Sequence, residues 1–104
     1  MADQSFLIRL SGARQHLMDP DVVQAHVAWL RDLDEAGRLL LAGVLEGGEA
    51  VVVIRAEGRD EAVKIADSDP FAEAGVYGER TVLRLNHAHA GNDYLLRLAQ
   101  GRLG

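Results

Sequence analysis

The chain of 104 residues has no cysteine, two prolines, one lysine, one tryptophan, two tyrosines and two phenylalanines. Without cysteine there is no disulfide framework, no thiolate nucleophile and no cysteine-ligated zinc. A cytoplasmic setting is compatible with that. The net charge is −5 and the arginines are scattered, so no cluster of positive charge is present to displace counterions from nucleic acid. The longest apolar runs are strand-sized, too short for a membrane span. The opening Met1-Ala-Asp-Gln lacks the basic and apolar regions of a signal peptide. No glycine pattern fits a phosphate loop, because Gly43 is followed by Val-Leu-Glu-Gly-Gly and not by a helix start with Lys-Ser/Thr. There is no Ser-His-Asp or Cys-His signature either, and no cofactor is implied.

What is present is ordinary for a globular protein: 48% hydrophobic and 26% charged residues, in a length that fits one small domain. A domain of this size buries a modest core, so a partner subunit would help it. Each of the two prolines follows an aspartate, as Asp19-Pro20 and Asp69-Pro70. Aspartate suits a helix N-cap and proline the first helical position.

Ser5–Leu10 reads as a strand and Ser11–Met18 as a loop. Asp19-Pro20 opens a helix with Val23, Val27, Leu30 and Leu33 as its apolar stripe, ended by Gly37. Trp29 falls off that stripe, toward a partner subunit or a cleft edge. Arg38–Leu45 and Ala50–Ala56 flank a Gly-Gly pair and form a hairpin. Gly58 starts a second helix, Arg59–Asp67, with Ala62, Val63, Ile65 and Ala66 facing inward. Asp69-Pro70 begins a short helical turn that stops at Gly75. Thr81–Leu85 is a fourth strand. Asn92 caps a C-terminal helix, Asp93–Leu103, with Tyr94, Leu95 and Leu98 as its stripe. The order β-α-β-β-α-β predicts an α+β, ferredoxin-like domain with an antiparallel four-stranded sheet and two helices on one face.

Leu39-Leu40-Leu41-Ala42 and Val51-Val52-Val53-Ile54 do not alternate with polar residues. A sheet covered on one face should alternate, so both faces of this hairpin are expected to be buried. If four such side chains faced water, about 6–12 kcal/mol would be forgone, comparable to the stability of a small domain. A second copy packed sheet to sheet is the expected cover; the C-terminal helix folding back is the alternative.

His26 lies on the inward face of the first helix. A lone histidine there is most often a hydrogen-bonded core residue. Asp69 raises the alternative, because the end of the second helix can approach the first, and a carboxylate beside an imidazole makes a general base. Asp69 also reads simply as an N-cap, and the two roles are compatible. Tyr77 is a pocket-lining candidate or a packing residue. Arg9 and Arg84 are candidates for binding a carboxylate or phenolate, or are solvated arginines. His87 and His89 share a side in an extended segment, but no third ligand has a recognisable spacing, so a polar linker is preferred to a metal site.

The stretches AHVAWLRDLDEAGRLLLAGVL (25–45) and RDEAVKIADSDPFAEAGVY (59–77) resemble the YCII-related family. The likeness spans residues 5–86 and leaves 87–104 as a C-terminal extension. It implies one ferredoxin-like domain, paired as a dimeric α/β-barrel, and a His/Asp active site at His26 and Asp69. A relative of known role dehydrochlorinates a hydroxylated aromatic compound. Many members carry arginine three residues before the helix histidine, where this chain has Val23. The resemblance thus implies a cofactor-free homodimeric enzyme acting on a small organic molecule, such as a hydroxylated aromatic or a lactone, by proton transfer, isomerisation or elimination. A metabolite-binding module and an accessory protein that docks through its last helix are the alternatives.

Overall fold

The computed structural model describes residues 3–86. The elements are β1 (Gln4–Ala13), a 3₁₀ turn (Gln15–Leu17), α1 (Pro20–Glu35), β2 (Leu39–Val44), β3 (Ala50–Ala56), α2 (Arg59–Asp67), α3 (Pro70–Ala74) and β4 (Tyr77–Leu85). They form an α+β, ferredoxin-like arrangement whose antiparallel sheet has the order β2-β3-β1-β4. The expected C-terminal helix, with Asn92, Tyr94, Leu95 and Leu98, and the His87/His89 pair fall outside the described residues.

The period of two along β1 divides the sheet into its faces. Phe6, Ile8 and Leu10 pair with Ile54, Val52 and Ala50 of β3, and make the core with Ala56, Ala62 and Ala66. Ala62 and Ala66, one turn apart on α2, are both buried there. Their small side chains let the helix lie close to the sheet.

Several expectations shift in detail. β1 and β4 are longer than the sequence indicated, because each extends along the other down to the pair Ala13 and Tyr77. The segment read as loop is therefore partly strand and partly 3₁₀ turn. β1 passes through Gly12 at φ 70, where any added Cβ would meet Gly78 of β4 at 3.5 Å. A glycine tolerates that left-handed backbone without strain. The expected hairpin is present, but β2 is an edge strand. The leucine run at its start is explained by a bulge: Leu39 pairs with Ile54 and Leu41 with Val53, so the extra residue puts these two leucines on opposite faces.

On α1 the stripe is rotated from the expected one. Val27 is 44% exposed, whereas Trp29 and Leu30 pack on the core and Leu33 is buried. Val63 of α2 is likewise exposed. Both helices present a narrower face to the sheet than their apolar residues alone suggested.

The face of the sheet opposite the helices carries an apolar row across all four strands: Leu41, Val53, Leu7 and Leu83. Val53 is only 7% exposed, Leu41 is 61% and Leu83 is 46% exposed. The central part of the row is shielded, and the flanks are open.

Candidate active site

The site begins with two identical dipeptides in different surroundings. Asp19 caps α1 by accepting from the Val22 amide at 3.0 Å, and is exposed. Asp69 caps α3 in the same way, accepting from the Phe71 amide at 2.9 Å, yet is 1% exposed. It is the one buried polar or charged residue among those described. Burying a carboxylate is costly unless it is paired and hydrogen-bonded. The second partner is His26, whose Nδ1 lies 2.7 Å from the same Asp69 Oδ1 that accepts from Phe71.

The fold brings these groups together through the α2–α3 junction. Ser68 ends α2 and Asp69 starts α3, so the chain turns sharply against α1. Gly75, at φ 68, ends α3 after five residues, and the chain turns into β4. Pro70 and Phe71 hold the short helix in place. The Phe71 ring is buried and stacks flat on the imidazole, with centroids 3.9 Å apart and 5° between planes. The Trp29 ring lies 5.5 Å from the imidazole, and the Tyr77 ring 6.0 Å from Phe71.

With Asp69 ionised, Nδ1 of His26 donates to it and Nε2 is left with a lone pair. The His26 side chain keeps 13% of its surface. Nε2 has no hydrogen-bond partner among the described residues. The arrangement presents one oriented nitrogen that can take or give a proton. Tyr77 adds a second proton-bearing group nearby. Its phenol is pushed above 10.0, first by burial and then by the negative charge of Asp69. It therefore carries its proton at neutral pH and is available as a hydrogen-bond donor.

Of the residues singled out from the sequence, His26, Asp69 and Tyr77 are gathered here. Arg9 and Arg84 are not. Arg9 points from the opposite face of the sheet, as the alternation of β1 dictates, and is held by both carboxylate oxygens of Glu49 at 2.9–3.2 Å. Arg84 pairs with Phe6, seven residues along β4 from Tyr77, about 23 Å at the usual strand rise. Neither reaches the imidazole. Phe71 and Ser68 join the site although the sequence does not single them out, and Trp29, expected at a partner subunit or a cleft edge, lies beside the imidazole. The aromatic directly after the capping pair was the available signal for Phe71. Nothing in a linear pattern marks Ser68. Arg14 also approaches this end of the sheet, where its Nη1 donates to the Gly75 carbonyl at 2.9 Å.

Among the described residues no group of three His, Cys, Asp or Glu side chains could hold a metal ion, and no helix is long and apolar enough to cross a membrane. Two surface pockets lie on α1, at Val23, Val27 and Arg31, and at the start of α2, from Glu57 to Lys64.

The chain matches the YCII-related domain over residues 6–86. No curated protein is significantly similar to it in sequence. Among solved structures, it resembles the 5-chloro-2-hydroxyhydroquinone dehydrochlorinase from Burkholderia phenoliruptrix AC1100 in complex with 2,5-dihydroxybenzoquinone. The TM-score is 0.68 at 24% identity, covering 81% of this chain and 95% of that one, a likeness of fold.

Proposed function

Because this chain belongs to the YCII-related domain family, we propose that it is a small cofactor-free enzyme in which His26 moves protons and Asp69 orients it. The observation that carries this reading is the 2.7 Å contact between Nδ1 of His26 and a carboxylate buried for no reason that capping explains. Asp69 fixes the tautomer and stabilises the imidazolium as it forms, while Nε2 faces the substrate. Tyr77 donates a hydrogen bond to a substrate oxygen.

The substrate class is a small hydroxylated aromatic, in keeping with the ring-lined surroundings of His26 and with what the structural neighbour acts on. For a chlorinated hydroxyhydroquinone the reaction is net loss of hydrogen chloride. One ring hydroxyl loses its proton as the chlorine-bearing carbon gains one. A second hydroxyl then loses its proton as chloride leaves with the electrons of the C–Cl bond. No external oxidant is needed, and both proton transfers suit an imidazole that alternates between base and acid.

The protein works as a cytoplasmic homodimer, paired through the open sheet face. The support is the apolar row ending in Leu41 and Leu83, with Leu85 beside it. Covering the exposed parts of these three leucines contributes about 2–4 kcal/mol per protomer. That is less than the sequence pattern suggested, because Val53 is already shielded.

A second reading is a metabolite-binding module of the same fold. Chloride release and absorbance changes with chlorinated and unchlorinated trihydroxybenzenes separate the two. The enzyme reading expects turnover that falls by about 10²-fold or more in His26→Ala and Asp69→Asn. Binding by calorimetry, lost in His26→Ala but without turnover in the wild type, establishes the module instead.

A further inference from the structure

We infer that Trp29 and Ser68 form a positioning pair that holds Asp69 on Nδ1 of His26. This inference rests on the His26–Asp69 reading above and adds the device that keeps the two in register. The Trp29 indole Nε1–H donates to Ser68 Oγ at 2.9 Å, and Ser68 Oγ–H donates to the Ile65 carbonyl at 2.7 Å. Neighbouring residues 68 and 69 therefore each bond to α1, at positions three apart, His26 and Trp29. Three residues are nearly one helical turn, about 4.5 Å of rise, so both bonds leave the same side of α1.

One hydrogen bond between two helices is a pivot, and two such bonds in succession remove the rotation. The α2–α3 junction is a sharp turn whose second residue carries the buried carboxylate, and small shifts there move Oδ1 away from the ring. Trp29 is also the tilted ring beside the imidazole, so its donor and its face restrain the junction and the histidine together. Ser68 ties the brace into the end of α2 through Ile65. The polar atoms of both residues are engaged with each other and with Ile65 and not with the reacting nitrogen, which makes them positioning and not catalytic residues.

The test is ¹⁵N NMR of the His26 ring on the full chain, at a pH where the ring is neutral. Trp29→Phe keeps a ring and removes the donor; Ser68→Ala removes the acceptor; Ser68→Thr keeps the hydroxyl. Asp69→Asn serves as the reference for a lost carboxylate. The Nδ1–H tautomer should dominate in the wild type and in Ser68→Thr. In Trp29→Phe and Ser68→Ala its ratio to the Nε2–H form should fall by roughly fivefold to tenfold, about what one hydrogen bond contributes. If both variants keep the wild-type ratio while Asp69→Asn changes it, the brace is refuted and the His26–Asp69 reading stands. If Asp69→Asn changes nothing, that reading itself fails. Should Ser68→Ala not fold, because the hydroxyl also ends α2, Trp29→Phe decides, since it leaves that end intact.

Discussion

A single oxygen of Asp69 accepts from its own helix and from His26, at 2.9 Å from the Phe71 amide and 2.7 Å from Nδ1. The shared oxygen couples the start of α3 to the orientation of the ring. Changing either partner is therefore felt by the other.

The two Asp-Pro caps provide an internal comparison. Asp19→Ala should destabilise by about 1 kcal/mol, the usual cost of losing an exposed N-cap. Asp69→Ala should cost about 2–4 kcal/mol, because it also strands the buried Nδ1–H. Urea unfolding at fixed protein concentration measures both. Equal losses would mean that Asp69 is only a cap.

Phe71→Leu nearly conserves volume but removes the flat stack on His26. It should cost about 1–2 kcal/mol, while Phe71→Ala should cost about 3–5. A Phe71→Leu variant as damaged as Phe71→Ala would show that the stack, and not the filled volume, holds α3 in place.

The Tyr77 phenol should titrate above 10.0 when followed by phenolate absorbance, with burial as the main cause and Asp69 as the lesser one. Tyr77→Phe removes this transition, and Asp69→Asn lowers it without restoring the ordinary value. A raised value means that the folded state holds the proton more tightly than the unfolded chain. The resulting stability is fully present below pH 10.0 and is lost as pH rises through the folded-state value. Unfolding free energies measured on either side of pH 10 should fall with pH in the wild type, and less so in Tyr77→Phe.

Leu41→Asp and Leu83→Asp place charge on the open face without touching the core. Sedimentation should show a wild-type dimer and variants shifted toward single protomers with unchanged circular dichroism. A wild type that stays a folded single protomer at micromolar concentration would contradict sheet-to-sheet pairing.

The element order was legible because its punctuation is local: two Asp-Pro starts, Gly37 and Gly75 as stops, and Gly47-Gly48 at the hairpin. Each acts through backbone preferences that need no tertiary context. The face of Arg9 was legible from alternation, but not that Glu49 would hold it there. The lengths of β1 and β4 depend on each strand pairing with the other beyond Leu10. The choice of Trp29 over Val27 as a packed residue depends on how α3 meets α1. His26 and Asp69 were legible as candidates, yet only burial separates Asp69 from Asp19. Ser68 was invisible, since its role exists only where Trp29 meets it.

The most direct test of the central claim is a ¹⁵N NMR titration of His26 in the wild type and in Asp69→Asn. The predicted result is a neutral ring carrying its proton on Nδ1, with Nε2 unprotonated and reporting added hydroxylated aromatic ligands, and loss of that preference in Asp69→Asn. A wild-type ring protonated on Nε2, or a tautomer indifferent to Asp69, would contradict it.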